Sequence, residues 1–109
     1  MAVYMIQFTY TPDAWASLSR NPVDRSGPIS GLAESLGGKL LNLYYCFGEY
    51  DGIVIFEAPD DASAAALSVS ATIPGHLKMA KTTRLFTPQE SLELLRKAGG
   101  VSFRGPSAS

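Results

Sequence analysis

Residues 39–57, KLLNLYYCFGEYDGIVIFE, decide the fold. Two apolar runs, 39–47 and 53–57, flank the turn-forming segment Gly48-Glu49-Tyr50-Asp51-Gly52. Short runs of β-branched and aromatic residues read as strands, and so brief a connection makes them an antiparallel hairpin. In the first run, Leu41, Leu43, Tyr45 and Phe47 alternate with Leu40, Asn42, Tyr44 and Cys46. Outside the hairpin lie two more strand patterns, VYMIQFTY at 3–10 and LKMAKTTRLF at 77–86. The first places Tyr4, Ile6, Phe8 and Tyr10 on one face and Val3, Met5, Gln7 and Thr9 on the other. Neither face is fully polar, which suits an interior strand covered on both sides. The charges within 77–86 suit a sheet edge.

Helical patterns join these strands. Thr11-Pro12 is a cap followed by proline at the first helical position, and Trp15 and Leu18 share a face of the helix it opens. Asn21-Pro22 repeats the start signal with Asp24 in the new first turn, and Gly27-Pro28 interrupts it. Ile29, Leu32, Ala33 and Leu36 continue at helical spacing until Gly37-Gly38. The reading is a short helix, a kink and a longer helix. Pro59-Asp60-Asp61 opens a further helix, with Ala62, Ala65, Ala66, Val69 and Ile73 expected as its buried stripe and Pro74-Gly75 as its end. Thr87-Pro88-Gln89-Glu90 carries a capping box, and Leu92, Leu95 and Ala98 are expected to face inward. Residues 101–109 show no periodicity and read as a loose tail, so the domain is placed at 1–98 and the tail at 99–109.

The order β-α-β-β-α-β plus a terminal helix is an α+β, ferredoxin-like arrangement with a four-stranded antiparallel sheet. Right-handed crossovers put the helices on one face of that sheet. The other face, expected to include Met5, Gln7, Leu40, Asn42, Tyr44 and Phe56, is too apolar to face water, which favours a homodimer joined through the sheets.

Composition narrows the function classes. The 109 residues suffice for one domain with one core. Nine Lys and Arg stand against ten Asp and Glu, so no basic footprint for nucleic acid exists overall. Six of the nine bases fall after residue 77, where Lys78, Lys81 and Arg84 mark a basic strand. No apolar stretch is long enough to span a membrane, and the N-terminus lacks a signal-peptide pattern, so the expected compartment is the cytoplasm. One cysteine, Cys46, and one histidine, His76, leave no intrachain disulfide and no Cys-cluster or paired-His metal site. No cofactor is implied, since no Walker loop, dinucleotide fingerprint or serine elbow occurs.

The candidate ligand-binding residues are Gln7, Asn42, Tyr44, Tyr50, Asp51, His76 and Arg84. Tyr50 and Asp51 read either as a turn whose carboxylate bonds nearby amides or as a phenol and carboxylate facing a ligand. His76 reads either as an acid–base group or as a loop histidine with no chemical role. Gln7, Asn42 and Tyr44 could line a cavity with one of the other tyrosines. Arg84, with Lys78, reads as an anion site or as an ordinary edge charge. Cys46 lies in an apolar run and reads as a structural thiol. Trp15, on the broken helix, reads as packing at what could be a pocket entrance.

Four blocks carry a family resemblance: Leu36-Gly37-Gly38-Lys39, Phe47-Gly48-Glu49-Tyr50-Asp51-Gly52, Glu57-Ala58-Pro59-Asp60-Asp61, and Thr83-Arg84-Leu85-Phe86-Thr87-Pro88 with Glu90. In this order, with Asn21-Pro22 and Arg25 before them, they resemble the GYD domain family across residues 3–98. Pro28 and Gly31 depart from the smooth helix expected of it. The resemblance implies a dimeric α/β barrel and no defined activity. Three functions remain open: a small-molecule binding protein, a structural oligomerisation module without a ligand, and a cofactor-independent enzyme of monooxygenase or isomerase type.

Overall fold

A computed structural model describes residues 1–107, so residues 108 and 109 of the expected tail lie outside the described residues. The elements run β1 (Ala2–Tyr10), α1 (Pro12–Arg20), α2 (Ser26–Ser35), β2 (Lys39–Tyr45), β3 (Gly52–Ala58), α3 (Asp61–Thr72), β4 (Leu77–Leu85) and α4 (Pro88–Gly99). The strands form one antiparallel sheet in the order β2-β3-β1-β4, the ferredoxin-like arrangement. β1 is interior and β4 is an edge. No helix of the described residues is long and apolar enough to cross a membrane.

Alternation along β1 and β3 builds the core. Tyr4, Ile6 and Phe8 pair with Phe56, Val54 and Gly52, and their side chains meet Ala33 of α2 and Ala64 and Leu67 of α3. Phe56 is fully buried at its centre, stacked on Tyr4 with ring centroids 5.6 Å apart. Phe56 therefore belongs to the helix-covered face, not to the open face expected from the sequence. Leu40, also expected on the open face, packs against the same core. A register shift between Leu40 and Asn42 explains it: the bulge puts Leu40 and Leu43 on one side, while Asn42 and Tyr44 pair opposite Ile55 and Ile53 on the other. The open face thus carries Val3, Met5, Gln7, Thr9, Ile53, Ile55, Asn42 and Tyr44.

The caps form as their residue types dictate. Thr11 accepts from the Ala14 amide at 3.1 Å, and Asp60 accepts from the Ser63 amide at 2.7 Å. The amide bond holds the Asp60 carboxyl below its usual value. Thr87 and Glu90 exchange both bonds of the capping box, at 3.0 and 2.9 Å. α2 ends in a Schellman motif: Gly38 donates to the Ala33 carbonyl and Gly37, at φ +80°, to that of Glu34.

Four local expectations change. Asn21-Pro22 opens no helix; α2 starts at Ser26 and takes Pro28 into its first turn, where a missing N–H costs nothing. β2 stops at Tyr45, leaving Phe47 99% exposed at the hairpin tip. In α3 the buried residues are Ala64 and Leu67, whereas Val69 and Ile73 are exposed. Alanines all round that helix mark no face, and Leu67, its largest side chain, sets it. In α4 no residue is buried, and Leu92 and Leu95 are 43% and 65% exposed instead of facing inward.

Candidate functional site

The helix-covered face leaves a cavity of about 420 Å³ between the sheet, α1, α2 and α3. Its floor is apolar: Ile6, Phe8 and Val54 from the sheet and Leu67 from α3. Leu18 of α1 and Ile29 and Leu32 of α2 form the walls. Val23 and Pro28 close the side where the two helices are joined. The polar groups sit mostly toward solvent: Ser17, Asn21, Arg25 and His76 are exposed, and Tyr10 and Ser70 are half-buried. The kink that breaks the α1–α2 region therefore borders the cavity, as its sequence suggests.

Tyr10 is the most tightly held of these polar groups. Its ring packs edge-on to Phe8 and Trp15, with centroids 5.2 and 5.1 Å away, and its hydroxyl lies 3.3 Å from that of Tyr45. Burial, then the Tyr45 bond, pushes the Tyr10 phenol far above its usual value, and the nearby Arg25 charge offsets part of the rise. At neutral pH Tyr10 is a neutral hydroxyl.

Asp51 holds this aromatic cluster in place. The β1–β3 ladder ends at the Phe8–Gly52 pair, and Asp51 extends it in two ways. Its amide donates to the Phe8 carbonyl at 2.8 Å, and its carboxylate accepts from the Tyr10 amide at 2.8 Å. The same oxygen accepts from Trp15 Nε1 at 3.3 Å, which ties α1 to the sheet. The carboxylate does bond an amide, but on a strand 41 residues away, not within its own turn. Asp51→Ala strands a part-buried amide and frees the indole. We expect a loss of about 2 kcal/mol in urea unfolding, with Trp15 emission moving toward that of a solvated indole. Unchanged stability would rule out this latch.

The other sequence candidates are dispersed. Only His76 lines the cavity, and its carbonyl accepts from the Thr11 amide at 2.9 Å. Tyr50 lies in the hairpin connection, and its carbonyl accepts from Cys46 Sγ at 3.2 Å. Gln7, Asn42 and Tyr44 are on the open face, where Asn42 donates to the Tyr44 hydroxyl at 3.4 Å. Arg84 sits on the helix-covered face, 4.3 Å over the Phe86 ring and 3.8 Å from Glu90, and donates to the Leu85 carbonyl. Next to it, the Tyr4 hydroxyl donates to Asp61 Oδ1 at 2.5 Å, a bond that raises the Tyr4 phenol. Tyr10, Asn21 and Arg25 were missed as site residues. The signal available for the last two was the Asn21-Pro22…Arg25 segment, read as a helix start and as part of the family resemblance.

The GYD domain matches residues 4–95, and the chain belongs to that family. No curated protein matches its sequence. Among solved structures it is similar to FFRP-DM1, at 14% identity and a TM-score of 0.50, over 79% of this chain and 100% of that one. It is similar to MtbAldR at 17% identity and a TM-score of 0.54, over 79% of this chain and 52% of that one, so it spans about half of that protein. It is also similar to TTHA0845 from Thermus thermophilus, at 11% identity and a TM-score of 0.51, over 80% of this chain and 95% of that one. At these identities the likeness shows the fold alone.

Proposed function

We propose that this member of the GYD domain family binds a small, largely apolar molecule in the cavity beneath α1 and α2. We propose further that it does so as a homodimer joined through the open sheet faces. The observation that carries the binding reading is the cavity itself. Its volume of about 420 Å³ falls within the range of small-molecule sites, and an apolar floor meets a few convergent polar groups at the rim. A well-packed core leaves few voids larger than a water molecule, so this space is unlike a packing defect. The dimer reading draws support from the open face, where Val3, Met5, Ile53 and Ile55 surround Gln7 and Asn42.

Trp15 is the only tryptophan and touches Tyr10 at the cavity wall, so its emission reports occupancy. Titration with eight-carbon amphiphiles should give saturable binding of at least one of them. Ala71→Phe, which fills the cavity from α3, should abolish it while leaving the fold intact. Flat titrations across the series, or binding that survives Ala71→Phe, would overturn the cavity as the site.

A further inference from the structure

Charge is distributed one-sidedly around this cavity. Among the described residues that line it, Arg25 is the one permanent charge, and no Asp or Glu is present. The remaining polar groups, among them Asn21, Tyr10 and His76, can each donate a hydrogen bond. Arg25 has no ion-pair partner among the described residues. It also occupies the N-cap of α2, whose first turn holds no acid, so a cation sits at the positive end of a helix. The neighbouring Asp24 offsets part of this, but its carboxylate is engaged by the Ser26 amide at 2.9 Å. Among the lining groups a cationic ligand would meet only like charge, and a neutral one would leave the guanidinium with no counter-charge inside the cavity.

We infer that the cavity takes an amphipathic monoanion, a carboxylate on a hydrocarbon body, with the head at Arg25 and the body against Ile6 and Phe8. This rests on the cavity being the ligand site. A planar guanidinium presents paired donors that match a carboxylate, and the rim position lets the head stay partly hydrated while the chain is buried. The floor contributes affinity without regard to charge, and Arg25 contributes the choice of head group.

The test compares octanoate, octan-1-ol and octylammonium by Trp15 emission and by calorimetry, in the unaltered chain and in Arg25→Gln and Arg25→Lys. Octanoate should bind about tenfold more tightly than octan-1-ol, the worth of one charge-assisted contact, and octylammonium should bind least. Arg25→Gln should bring octanoate to within about threefold of octan-1-ol without weakening the alcohol, and Arg25→Lys should retain most of the preference. Arg25 is exposed, so neither variant disturbs the core. If octanoate and octan-1-ol bind equally, the cavity stands and the anionic head falls. If the octanoate preference persists in Arg25→Gln, the assignment to Arg25 falls. If no probe binds, both the cavity reading and this inference fail.

Discussion

Gly38→Ala should destabilise the domain by about 3 kcal/mol, the scale of a forced backbone displacement. The cause is space, not conformation. A Cβ at Gly38 would stand 2.1 Å from the Glu57 carbonyl oxygen and 3.2 Å from its carbon. Glu57 pairs with Val3 on one side and Lys39 on the other, so its carbonyl cannot retreat without shifting three strands. The same glycine donates to the Ala33 carbonyl at 2.9 Å, which fixes where α2 ends and β2 begins. Its neighbour provides the control. Gly37 has φ +80°, and a Cβ there meets only the Pro59 ring at 3.5 Å. Gly37→Ala should therefore cost only the left-handed penalty, about 1 kcal/mol. Urea midpoints of the two variants decide the matter. If Gly38→Ala costs no more than Gly37→Ala, the close approach of the α2–β2 junction to β3 is wrong.

The fold was legible because its signals are local and agree with one another. Thr11-Pro12, Gly37-Gly38 and Thr87-Pro88-Gln89-Glu90 each punctuate an element where the structure has a boundary. The faces were less legible, for two physical reasons. In 53–57, IVIFE, residues of both parities are apolar apart from Glu57, so alternation cannot say whether Val54 and Phe56 or Ile53 and Ile55 meet the helices. In 39–45 the alternation is regular in the sequence, but the bulge after Leu40 reverses it, and nothing in LLNL announces a bulge. The cavity was half legible. The broken helix pointed to a pocket edge, and His76 was named. Arg25 reaches the rim only through the path of 21–25 between α1 and α2, and a path without periodicity leaves no pattern to read.

Charging the apolar stripe of α4 should dissociate the proposed homodimer while leaving each domain folded. A compact chain of this length has a radius of gyration of about 13 Å. This one has 17.6 Å and extends 61 Å along its longest axis. No α4 residue enters the core cluster. Yet α4 is built to be a helix: it has a full capping box, Pro88 in its first turn, and Arg96 and Lys97 at its C-terminal end, where cations suit the dipole. Leu92 and Leu95 lie three apart and are exposed. In an isologous dimer each contact occurs twice, so an α4 stripe that reaches the partner across the open sheet faces is buried from both protomers. A buried leucine contributes at least about 1.5 kcal/mol, so losing half the burial of four leucines weakens the dimer by about 3 kcal/mol, or about a hundredfold. Sedimentation of Leu92→Glu/Leu95→Glu should therefore show monomer at concentrations where the unaltered chain is dimeric. The urea midpoint of the isolated domain should move little, because no α4 residue is buried within its own chain. An unaltered chain that sediments as monomer at all concentrations would remove the dimer. A variant that remains dimeric would leave the sheet faces as the interface and exclude α4 from it.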